Sequence, residues 1–384
     1  MGPLRYARFD RNEIAGSLGD LGTFLPLLVA MASQNGLSFA SGLFFAGLFN
    51  LVTGLTFSIP MAVQPMKAIA AVALTEGMSA REIVAAGMTV SAVILLLGLT
   101  GWIGWLNRVI PRSVVRGVQL ALGLSLLMKG LQMVAGTHVF LGLDSYTTAI
   151  IAALVVIVLL ASRRLPPALL LFGVGMVLAV WKDPAIRESI RLHITLPSWS
   201  PPDWPAFRHA FRKAVLPQIP LTTLNSVVAV CALSADLFPA RPVTPRRVAV
   251  SVGVMNLVGG WFGGMPMCHG AGGLAGQYRF GARTNGSILF LGAIKICLAV
   301  LFGSSLMAIA RAFPASVLGV MLSFSGIELA LVTRDQTDRG AAFAMLLTAG
   351  ASLGLGDISF GFILGLVAAL LLRVTASRSE RSVE

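Results

Sequence analysis

Twelve apolar runs follow one another along the chain, each close to the ~20 residues that cross a bilayer, and they fix its class before any motif is considered. They lie near residues 14–34, 36–58, 83–106, 114–134, 146–163 and 165–181. After a polar, Pro-rich stretch they resume near 213–235, 246–264, 286–310, 315–332, 339–354 and 357–373. Composition agrees. Charged residues make up 12% of the 384, half the ~25% of a soluble domain, which is too little to cover a water-facing surface. A hydrophobic content of 56% excludes disorder. Cys231, Cys268 and Cys297 lack close pairing, which excludes a disulfide scaffold and a CxxC zinc site. The net charge of +13 then reads as an orientation signal in cytoplasmic loops rather than a nucleic-acid footprint. The lipid bilayer is the expected surrounding, and nucleic acid is not an expected partner.

Two apolar pieces are too short to cross. Ala62 to Leu74 reaches about 20 Å at 1.5 Å per residue, and Gly270 to Phe280 is shorter still. Both sit between full spans, so both read as half-helices ending inside the bilayer. The result is an all-α polytopic membrane protein of about 14 transmembrane elements, seven in residues 1–181 and seven in 213–384, joined by an extracytoplasmic connection over 182–212. The half-helices are the third and tenth elements. The N-terminus MGPLRYARFD lacks the apolar core and cleavage site of a signal peptide.

Charge placement orients this count. With both termini cytoplasmic, the inner loops hold Arg5, Arg8 and Arg11; Arg108, Arg112 and Arg116; and Arg163 and Arg164. In the second half they hold Arg241, Arg246 and Arg247; Arg279 and Arg283; Arg334 and Arg339; and Arg373, Arg378 and Arg381. The outer connection departs from the rule, with Lys182, Arg187, Arg191, Arg208, Arg212 and Lys213. Interfacial snorkelling explains it simply. A basic vestibule that attracts anions is the sharper reading.

The halves echo each other in order. PMAVQPMKAIAA (60–71) resembles PMCHGAGGLAG (266–276), offset by 206, and PRSVVRGV (111–118) resembles PASVLGV (314–320), offset by 203 with one deletion. Seven is odd, so the second half inserts upside down. Inverted repeats with broken helices mark secondary transporters, whose substrates bind where the helices break. Pro60 and Pro65 interrupt the first short piece, and ten glycines in the 28 residues Gly259–Gly286 weaken the second. Backbone that stops inside a membrane must face protein or a water-filled cavity. Two helix N-termini facing each other there carry partial positive charge and free N–H donors, and so suit an anion.

Polar residues gather at the same places. Asp20 and Thr23 lie in the first span, near Ser17; Thr222, Thr223, Asn225 and Ser226 lie in the eighth element. Gln64 and Lys67 flank the first half-helix start, and Cys268, His269, Gly270 and Gly272 the second. An ionisable group inside a membrane is a functional candidate by default. Asp20 reads as a coupling or gating carboxylate, with a structural ion pair as the alternative. Lys67 divides between substrate charge and structural pairing. His269 reads as polar lining rather than a metal ligand, since no partner stands at ligand spacing. Lys129, Lys295 and Glu328 read as interhelix pairs. No HExxH, GxSxG or P-loop is present, so neither an enzyme nor a resident cofactor or metal is expected, and any accumulation must draw on a gradient. A non-transporting scaffold is the alternative class, but a continuous helix would serve it better than two broken ones.

At these motifs the sequence resembles a known family. GDLGT (19–23), PMAVQPMKAIAA (60–71) and CHGAGGLAGQYRFGAR (268–283) are similar to the molybdate transporter family of bacteria, algae and plants, itself distantly similar to sulfate and nucleobase permeases. The resemblance implies a seven-plus-seven inverted repeat with substrate between the third and tenth helices and the first and eighth. It implies import of molybdate, with sulfate or another oxyanion as the alternative, across a bacterial inner membrane, with protons as a coupling partner and a homodimer as a possible assembly. Ala62 stands where the family pattern leads one to expect Pro, and no cytoplasmic regulatory domain of the sulfate-permease kind is expected after the last span.

Overall fold

The computed structural model describes residues 6–160, 167–183, 191–241 and 243–381. Arg5, Arg163, Arg164 and Arg187 of the charge pattern lie outside the described residues. The first half comprises α1 (Arg11–Asn35), α2 (Phe39–Thr56), β1 (Gln64–Pro65), α3 (Lys67–Glu76), α4 (Ala80–Thr100), α5 (Ile103–Val109), α6 (Arg112–Ala135), α7 (Tyr146–Leu160) and α8 (Pro167–Lys182). The second comprises α9 (Trp204–Leu237), α10 (Pro245–Gly260), β2 (Met267–Cys268), α11 (Ala271–Arg279), α12 (Gly286–Ala312), α13 (Ala315–Leu331), α14 (Arg339–Gly354) and α15 (Ile358–Arg381). Among the described residues seven helices are long and apolar enough to cross a membrane: α1, α2, α4, α6, α9, α12 and α13. The protein is a mostly helical, multi-pass membrane protein.

Local chemistry sets the boundaries, and some differ from the hydropathy reading. Ser79 and Glu82 form a reciprocal capping box that starts α4. Gly101, at φ 76°, ends it, so the run expected over 83–106 breaks into α4 and the short α5. The eighth span starts at Trp204 rather than 213, because Asp203 caps it by accepting from Ala206 N–H at 3.0 Å. Within α9, Pro217 and Pro220 withhold two N–H donors, and the helix widens to π geometry over Phe211–Val215 and Thr222–Val228. In α1 a 3₁₀ turn, Leu18–Asp20, interrupts the regular helix. The first short helix begins at Lys67, not Ala62, since Pro65 keeps the approach extended.

Those extended approaches make the one departure from an all-α reading. β1 and β2 pair antiparallel, Gln64 opposite Cys268 and Pro65 opposite Met267. Met66 N–H donates to Pro266 O at 2.9 Å, and Asn256 clamps Met267 through both its N–H and its carbonyl, each at 2.7 Å. From this crossing leave α3, 10 residues long, and α11, 9 residues long.

Long helices pack around the crossing in three pairs: α6 with α13, α2 with α12, and α4 with α10. Lipid supplies no hydrophobic drive between helices, so close backbone approach has to hold them. Gly123, Gly130, Gly319 and Gly326 provide it in the α6–α13 pair: a Cβ on any of them would strike backbone of the opposite helix.

Around the connection over 182–212, two of the basic side chains have acidic partners. Lys182 pairs with Asp144 at 2.9 Å and Lys213 with Glu76 at 3.4 Å. Arg208 and Arg212 line a cavity together with Trp204, Phe207 and Phe211. The vestibule reading therefore loses two of its cations to acidic partners.

Candidate functional site

The two short helices start at the same place with different chemistry. At α3, Gln218 Oε1 accepts from the N–H groups of Ala68 (2.9 Å) and Ile69 (3.1 Å), while its Nε2 donates to Thr222 Oγ1 at 2.7 Å. The expectation that both N-termini hold free donors is therefore corrected: a side chain of α9 satisfies two of those at α3. The sequence reading named Thr222 and Thr223 but passed over Gln218. The available signal was an amide between two prolines in an otherwise apolar stretch, LPQIPL.

At α11 the cap position is Gly270, which has no side chain to offer, and among the described residues no other side chain caps this end. Gly272 is exposed, and a Cβ added there would meet nothing within 4 Å. The side of Gly270 is different. A Cβ there would run into Gln64 Oε1, so Gly270 makes room for Gln64 rather than directly for a ligand. Helix α1 lies antiparallel along α11, with Gly16 against Ala282 and Gly19 against Gly276. Gly22 of α1, like Gly272, faces open space.

Lys67 is the first residue of α3. Its side chain is half-buried and lies in the fields of Cys268, Glu328 and Asp20. Among the described residues it has no ion pair within 4 Å. Glu328 is exposed on α13 and forms no ion pair with Lys129, so that expected pairing is absent. Cys268 and Ser226 are buried beside each other.

Asp20 sits in the 3₁₀ turn of α1, 0% exposed. Lys295 Nζ, itself 2% exposed, lies 4.0 Å from Asp20 Oδ2, donates to Asn50 Oδ1 at 3.0 Å and stands 4.0 Å over the Phe24 ring. Neither carboxylate oxygen has a hydrogen-bond partner among the described residues; nor do Asn50 Nδ2 and Gln64 Oε1. Lys295 thus does pair between helices, and its partner is the leading coupling candidate. Asp20 is walled into the protein next to the crossing, beside the Gln64 side chain and the Val63 backbone, with Lys67 a further charge whose field reaches it.

Two further candidates stand apart from the open side of α11. His269 Nδ1–H donates to Ala62 O at 2.9 Å, and Nε2 lies 2.9 Å from Ser251 Oγ. With both nitrogens engaged and no exposure, the ring braces β2 against α10. Asn225 lines a cavity of about 250 Å³ with Arg112 and Arg116 of α6. Among the described residues no three His, Cys, Asp or Glu side chains gather as a metal site.

Known proteins resemble this chain in sequence and in fold. The sequence profile of the family described as "Molybdate transporter of MFS superfamily" matches residues 12–126 and 210–329. Molybdate transporter 2 of Arabidopsis thaliana is 41% identical, over 94% of this chain and 87% of its own length. Molybdate transporter 1 of Chlamydomonas reinhardtii is 36% identical, over 94% and 91%. In fold the chain is similar to the transmembrane domain of the cyanobacterial bicarbonate transporter BicA, with TM-score 0.68 at 16% identity, covering 94% of this chain and 98% of that one. It is also similar to the murine anion transporter Slc26a9 in its inward-facing state, with TM-score 0.72 at 14% identity, covering 97% and 70%. These relatives are transporters, not enzymes, and the chain belongs to the molybdate transporter family.

Proposed function

We propose that this protein imports molybdate as a secondary active transporter, binding the dianion between Lys67 and the uncapped N-terminus of α11. One observation carries the reading. A lysine that has no ion-pair partner within 4 Å among the described residues, and a helix start that no described side chain caps, lie at the ends of the two crossing extended segments. A tetrahedral dianion needs several converging donors and compensation for lost hydration. The α11 N–H groups supply donors and partial positive charge, Lys67 a full charge, and Thr23, Ser226 and Cys268 further polar contacts. Gln64 holds the space between Gly270 and Gly273.

An inverted seven-plus-seven repeat accounts for the packing. Exchanging the halves turns the α2–α12 pair into α10–α4, and leaves α6–α13 and β1–β2 as self-matched pairs. In this reading both termini and the Arg241–Arg247 loop are cytoplasmic, and 191–203 is outside. Impermeant thiol reagent applied to sealed cells should label a cysteine introduced at Ser198 and miss one introduced at Thr244. Labelling of the Thr244 variant from outside would reverse the orientation.

Transport itself is tested in proteoliposomes. Labelled molybdate uptake should exceed passive leak, rise when the outside is acid, and resist excess sulfate. Uptake that sulfate abolishes at equal concentration would make this a general oxyanion carrier. Uptake indifferent to the pH gradient would remove protons from the mechanism.

A further inference from the structure

A groove of about 480 Å³ opens between α2 and α10, away from the crossing. Most of its length is lined by apolar side chains, among them Leu48, Val52, Val254 and Val258, while one end carries Arg246 and Arg247. We propose that this groove binds an anionic phospholipid, with the acyl chain in the slot and the headgroup at the arginine pair.

Dimensions and charge both point to that ligand. From residue 246 to 258 an α-helix rises about 18 Å, and half of a ~30 Å hydrocarbon core is about 15 Å. The slot is therefore about one leaflet deep. Its basic end is the first turn of α10, where the positive end of the helix adds to the two side chains. Arg247 is already held in place: its Nη2 donates to Thr56 O at 2.8 Å, and its guanidinium lies 5.4 Å from the Phe57 ring centre. Arg246 is exposed, and among the described residues it has no ion pair. A free phosphate would use the arginines but leave the apolar slot empty. A zwitterionic lipid would fill the slot, with its own cation facing the arginines. An anionic lipid satisfies both ends.

The groove also touches the transport machinery. Ser251 lines it, and the Ser251 hydroxyl lies 2.9 Å from His269 Nε2. The other nitrogen of that ring holds Ala62 O, two residues before Gln64. A lipid seated against α10 would therefore support the brace that positions the crossing.

The test uses the full chain, purified and delipidated in detergent. Phosphatidylglycerol, phosphatidylcholine and glycerol phosphate are added separately, with retention read by native mass spectrometry and stability by thermal unfolding. Phosphatidylglycerol should be retained and raise the unfolding temperature above the phosphatidylcholine value; glycerol phosphate should do neither. Arg246→Gln should weaken phosphatidylglycerol retention about fivefold, the equivalent of ~1 kcal/mol for one basic residue near an anionic headgroup. Val254→Trp, filling the slot from an exposed position, should abolish the lipid-specific shift while leaving lipid-free unfolding unchanged. Equal effects of the two lipids would overturn the proposal. So would a full shift from glycerol phosphate, or wild-type retention in both variants.

Discussion

Lys67→Ala is expected to weaken molybdate binding about ten- to hundredfold while leaving the protein folded. A hydrogen bond to a charged group contributes about 1.5–3 kcal/mol, which sets that range. Folding should survive because Lys67 completes no ion pair within 4 Å, so its loss strands no bound carboxylate. Lys67→Arg should recover part of the affinity, since the charge returns but a planar fork does not occupy the place of a compact ammonium. Gly272→Val probes the other side of the same site. A side chain there meets no protein atom, so it should be tolerated structurally and should obstruct the open first turn of α11. Gly270→Val would test something else, because its bulk would displace Gln64 first. Calorimetric titration of molybdate into purified protein decides. Native affinity in both Lys67→Ala and Gly272→Val would place the anion elsewhere.

The two short helices, matched in the sequence, have diverged in chemistry. Gln218 closes the start of α3, whereas Gly270 leaves the start of α11 open. In the proposed site an anion would meet one free terminus and one lysine rather than two equivalent termini, a lopsided arrangement that suits a substrate that must be released.

Much of this was legible in the sequence because the bilayer leaves so few options. Backbone polar groups must pair within a helix, so helix length and apolar content mark the spans, and prolines or clustered glycines mark where spans fail. Pro65 and the run from Gly259 to Gly286 exposed the crossing in this way. What stayed hidden depends on contacts between distant segments. Nothing in the local pattern around Asp20 points to Lys295, which reaches it from α12. Nothing around Ala68 points to Gln218, since the bend of α9 that delivers it depends on how Pro217 and Pro220 are accommodated. His269 looked like site lining because its neighbours were. Its two hydrogen bonds, to Ala62 and Ser251, come from the antiparallel pairing of β1 with β2 and the packing on α10.

Lys295→Met is expected to be the most damaging single change in the protein, and its rescue separates structure from coupling. Removing one member of a buried ion pair costs about 3–5 kcal/mol because the other charge is left uncompensated. Asp20 is 0% exposed, so without Lys295 only the neighbouring Gln64 side chain and Val63 backbone and the more distant Lys67 offset its charge. Asp20→Asn should be milder. Lys295 keeps the Asn50 oxygen at 3.0 Å and the Phe24 ring beneath it. Removing both charges together, in Asp20→Asn with Lys295→Met, should restore most of the lost stability, since apolar replacement of a whole buried pair is often neutral. Thermal unfolding of the three variants reads this directly; a double variant as unstable as Lys295→Met alone would mean the two groups are not energetically coupled. Uptake then asks the functional question. If Asp20 carries the proton, both variants lacking its charge should bind molybdate yet lose the dependence of uptake on a pH gradient. A stable double variant with gradient-driven uptake intact would leave the pair a purely structural tie between α1 and α12. The proton path would then have to run through another group, and Glu328 of α13, exposed and the other carboxylate whose field reaches Lys67, is the next to test.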